Sequence, residues 1–103
     1  MTTPAQRLAM AKAIIDFEAR RDRAGHLAVY HLPVEDGGGR YEVAGINEKY
    51  DRQAVDKLVA MLGAHKFDEA ENYAQEYIAE NTDVAGTWTS MPAIESYLRD
   101  SVF

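Results

Sequence analysis

The chain has 103 residues, with 11 Lys plus Arg against 17 Asp plus Glu and a formal charge of −6. That length suits one modest domain, residues 1–103, and the acidic balance argues against bulk attraction to nucleic acid or to an anionic membrane. Cysteine is absent, which removes disulfides and thiolate chemistry and leaves only His and carboxylate as zinc ligands. No apolar run approaches a membrane span, and Met1 to Gln6 lack a signal pattern. The expectation is a protein made in the cytoplasm with no signal peptide and no stable membrane insertion.

The first element is a helix. Thr2 or Thr3 suits an N-cap and Pro4 the first helical position. The helix is expected to run to about Arg23, with Gly25 as its stop. At about 100° per residue, Leu8, Ala11, Ile14 and Ile15 share half of the wheel, and Glu18 falls in the middle of that arc. Residues 27–32 and 41–46 are short β-rich runs, joined by a turn-rich stretch from Pro33 to Arg40, so a β-hairpin with a long loop is expected.

Three helices are expected after the hairpin. Asp51 caps one that ends at Gly63, with Ala54, Val55, Leu58, Val59 and Leu62 as its stripe. Another runs from about Phe67 to Glu80, with Ala70, Tyr73, Ala74, Tyr77 and Ile78 inward. Asn81 to Thr89 is a connector that carries Trp88, and Ser90 caps a last helix with Ile94, Tyr97, Leu98 and Val102 on its apolar side. The order makes an α+β domain. The chain stops while the last helix still reads as apolar, so that end either packs on another chain as a homo-oligomer or belongs to a longer domain.

Glu18 carries the most chemical information. A carboxylate on a buried face needs a partner or stays protonated, because desolvation disfavours its charged form. A carboxyl group kept neutral near pH 7 can serve as a general acid. Its plain alternative is a structural Glu turned to solvent at a helix end. Glycoside hydrolysis commonly needs a second carboxyl group, about 5–10 Å from the first, and Glu35, Asp36 and Glu42 are the candidates. Asp36 also reads as part of a solvated turn. Glu42 points opposite to Tyr41 and Val43 along its strand.

Tyr30 and Tyr41 are cleft candidates, since sugars rest on aromatic faces, and Arg20, Arg21 and Arg23 form a local basic cluster. Gly37-Gly38-Gly39-Arg40 leads into a strand rather than a helix, so it reads as hairpin chemistry and not as a phosphate loop. His26, His31 and His65 lack ligand spacing, and no motif points to a metal or other cofactor.

Ile14-Ile15-Asp16-Phe17-Glu18 resembles the helix end that carries the catalytic glutamate in phage-type and related bacterial muramidases. The pattern is most similar to the glycoside hydrolase family 108 group. Gly38-Gly39 and Gly45-Ile46 match its loop and strand, and Glu76-Tyr77-Ile78 resembles its third helix. Arg99-Asp100-Ser101-Val102-Phe103 resembles the start of its inner helix. Glu18 is followed by Ala19-Arg20-Arg21 where the family has Gly-Gly-Tyr.

The resemblance implies a lysozyme-like domain lacking its C-terminal part. It also implies cleavage of the β-1,4 link after N-acetylmuramic acid in a peptidoglycan glycan strand. Glu18 would be the general acid and Glu42 or Asp36 the charge stabiliser, with Tyr41, Tyr30 and Arg20 against substrate. The alternative expectation is a non-catalytic glycan-binding or protein-interaction module that pairs through its C-terminal helix.

Overall fold

The computed structural model describes residues 3–32 and 39–81. Asp36, Trp88, the expected last helix and pairing through it lie outside the described residues. The described elements are α1 (Pro4–Glu18), β1 (Tyr30–His31), β2 (Tyr41–Val43), β3 (Ile46–Asn47), α2 (Arg52–Gly63) and α3 (Phe67–Asn81). The class is α+β. No helix among the described residues is long and apolar enough to cross a membrane.

The chain divides into two compact units, Met1–Phe17 with Gln75–Phe103, and Glu18–Ala74. In the first, α1 opens with a reciprocal cap. Gln6 N donates to Thr3 Oγ1 at 3.1 Å, and Thr3 N donates to Gln6 Oε1 at 3.0 Å, which satisfies two of the N–H groups a helix start leaves open. Met10, Ala11, Ala13, Ile14 and Ile15 are buried, while Leu8, expected on the same stripe, is exposed. Arg7 Nε donates to the Ala79 carbonyl at 2.9 Å, fixing α1 to the end of α3.

The helix stops at Glu18, five residues short of the expected Arg23. Asp22 explains the difference. Its Oδ1 accepts from Ala24 N and His26 N, both at 2.9 Å. A side-chain acceptor placed this way offers the backbone a loop in place of a helix. Gly25, at φ +84°, completes the turn, and Arg21 bridges Leu27 in antiparallel sense. The Asp22 carboxyl is held below its ordinary range, chiefly by the His26 backbone N–H.

The second unit holds a three-stranded antiparallel sheet in the order β1-β2-β3. The expected strand over 41–46 is instead two strands joined by Ala44 and Gly45. Both carry positive φ, +55° and +82°, which is the backbone a two-residue type I′ hairpin needs. The first expected strand shortens to Tyr30–His31, with Leu27 left in the isolated bridge.

Helix α2 packs on β2 and β3 and keeps its expected bounds, although Asp51 makes no side-chain cap. It buries Ala54, Val55 and Leu58, in the unit where Val43 and Ile46 are also buried and α3 supplies Ala70 and Ala74. Each large aliphatic so buried contributes about 1.5–3 kcal/mol. The Phe67 ring lies flat against His26 at 3.7 Å, holding the Asp22 loop to the start of α3.

Candidate functional site

Residues paired across a sheet share a face, and neighbours along a strand alternate. Tyr30 pairs with Glu42, and Glu42 with Asn47. These three side chains therefore stand on one face. His31 pairs with Tyr41, which places Tyr41 on the opposite face together with buried Val43 and Ile46. The Arg20 guanidinium lies 4.4 Å from the centre of the Tyr30 ring. Arg20 and Tyr30, expected against substrate, are thus brought together with Glu42, expected as charge stabiliser, and Tyr41 is not. Tyr41 meets the edge of His31 at 5.0 Å and the Arg40 guanidinium at 5.1 Å instead.

Glu18 departs from the expectation of burial, because it is exposed. It continues the periodicity of Ala11, Ile14 and Ile15, but the helix ends at that residue and no further turn encloses it. Its position is nonetheless defined. A methyl group at Gly45 would lie 3.6 Å from the Glu18 Cβ, so the acid stands beside the Ala44–Gly45 turn, within the same unit as Glu42.

The carboxylate that this fold does bury is Glu48, at 7% exposure. Its Oε1 accepts from Arg40 N at 2.9 Å and from Arg40 Nε at 3.1 Å, and its Oε2 accepts from Arg40 Nη2 at 2.8 Å. The guanidinium hydrogen bonds, then the Arg40 backbone N–H, hold this carboxyl down at about 2, against desolvation. Sequence reading missed it. The available signal was the hairpin itself. Once Ala44–Gly45 is a two-residue turn, Glu48 N reaches the Tyr41 carbonyl at 2.9 Å, and Arg40 and Glu48 meet at the open end.

Gly39 serves that meeting. At φ +94°, a Cβ on it would stand 2.7 Å from Lys49 N and 3.2 Å from Glu48 Oε1. The glycine therefore lets the chain before β2 pass close to the residues that follow β3. The histidines at 26 and 65 both stack on Phe67, and no group of three or more His, Asp or Glu suited to a metal ion occurs among the described residues.

Compared with family models, curated proteins and solved structures, the chain has no match.

Proposed function

We propose that this chain is a peptidoglycan hydrolase of the muramidase type on a lysozyme-like plan, with Glu18 as proton donor. One observation carries the reading. Glu18 ends its helix against the β-turn of the unit whose sheet face presents Tyr30, Glu42 and Arg20. The family resemblance of the segment ending in Glu18 supports it from the sequence side.

The exposure of Glu18 assigns a task to the substrate. A donor must reach a glycosidic oxygen, and an exposed one can. A sugar chain laid over the helix end would exclude water from the site of proton transfer. In the step proposed, the proton of Glu18 passes to the leaving oxygen as the bond to the anomeric carbon breaks. Glu42 faces the positive charge that develops on the sugar. Water then adds its hydroxyl to the anomeric carbon, and its proton restores Glu18. Tyr30 and Arg20 position the glycan. Asp36 keeps the part the resemblance gave it, as the alternative stabiliser, whereas Tyr41, on the opposite sheet face, is left out of this cleft.

Purified cell-wall sacculi incubated with the protein test this reading. Soluble fragments ending in reducing N-acetylmuramic acid are the expected product. Retention on the sacculi with no new reducing ends would replace hydrolysis by the second reading, a glycan-binding module, which the Ala19-Arg20-Arg21 that follows Glu18 in place of the family's Gly-Gly-Tyr favours. Neither retention nor cleavage would end both.

A further inference from the structure

Arg40, Glu48, Lys49 and Arg52 line a hollow of about 490 Å³. The chain is acidic overall, yet three of these four residues are cations. Arg40 is anchored along one edge by the buried Glu48 carboxylate, while its side chain remains 68% exposed. A planar guanidinium fixed in advance loses little freedom when a second oxyanion arrives at its outer edge. Gly39 makes the anchor possible, because any side chain there would collide with Lys49 N and crowd Glu48.

The other two cations are less committed. Arg52 meets Asp56 at 3.7 Å between two exposed side chains, a pairing of little strength in water. Lys49 Nζ rests 5.5 Å from the Tyr50 ring. Glu48 offsets one of the three cations, and the described lining keeps a positive surplus that an oxyanion balances.

We propose that this hollow is a carboxylate-binding subsite, taking a carboxylate from the peptide branches of a cell-wall glycan on Arg40, Lys49 and Arg52. The glycan and its carboxylate rest on the function proposed above, whereas the attraction for an oxyanion rests on the hollow alone.

N-acetylmuramyl dipeptide with a free carboxylate, and its methyl ester, are titrated into the isotope-labelled protein while backbone amide shifts are read. The free acid is expected to move the amides of residues 40, 49 and 52 and to bind about tenfold more tightly than the ester, the scale of one charge-assisted contact. The double variant Lys49→Gln/Arg52→Gln, altered only at exposed positions, should lose that preference and keep the parent's amide spectrum elsewhere. Equal binding of acid and ester, binding of neither, or shifts confined to other residues would overturn the proposal. Digestion of sacculi is followed on the same samples. Preference for the acid without digestion sinks the hydrolase reading alone, and digestion without preference sinks the subsite alone.

Discussion

Glu48 receives three hydrogen bonds from Arg40, one from its backbone and two from its guanidinium, across the open end of the β2–β3 hairpin. The pair ties the two ends of the β2–β3 hairpin, where Glu48 N also reaches the Tyr41 carbonyl. A buried carboxylate without such a partner would be an uncompensated charge.

The pH dependence of folding follows from this pair. The Glu48 carboxyl sits at about 2 in the folded chain against an ordinary 4.5. Between those values the unfolded chain takes up a proton that the folded chain refuses. The stabilisation is complete above about 4.5 and is lost as pH falls toward 2. Asp22, also lowered, acts in the same direction. Urea unfolding followed from pH 6 to pH 2 should show that decline, and Glu48→Gln should flatten it. A parent as stable at pH 2.5 as at pH 6 would contradict the assignment.

Two glycines separate backbone strain from collision. Gly45→Ala meets positive φ but only an ordinary contact with the Glu18 Cβ, so it should cost about 1 kcal/mol. Gly39→Ala meets positive φ and the backbone of Lys49 at 2.7 Å, and should cost about 3 kcal/mol. Chemical denaturation of the two variants gives the order, and equal losses would refute the close approach.

The core of the sheet unit has a sharp test in Leu58, which is fully buried on α2. Leu58→Ala should destabilise by about 3 kcal/mol through lost burial and a residual cavity. Lys57→Ala, one position along and exposed, should stay within about 0.5 kcal/mol. Thermal melts compare them.

The legible part of this chain was its long-period pattern. The Thr3–Gln6 start, α2 from Arg52 to Gly63, and α3 from Phe67 follow from capping residues and 3.6-residue spacing. The end of α1 was not legible, because Asp22 decides it through side-chain bonds to Ala24 and His26, and Gly25 as a helix stop looks the same from sequence. The turn at Ala44–Gly45 was hidden because alanine rarely takes φ of +55°. With that turn unseen, Glu48 had no visible partner. Periodicity then assigned burial to Glu18, where the helix had already run out. The pairing of Tyr30 with Glu42 was nearer to reach, since alternation alone sets Glu42 apart from Tyr41.

The most direct measurement is the rate at which sacculi release reducing ends with the parent and with Glu18→Gln. The side chain is exposed, so the variant should melt within about 0.5 kcal/mol of the parent while losing at least about a hundredfold in rate. A variant as fast as the parent, or a folded parent with no release at all, would contradict the assignment of Glu18 as the proton donor.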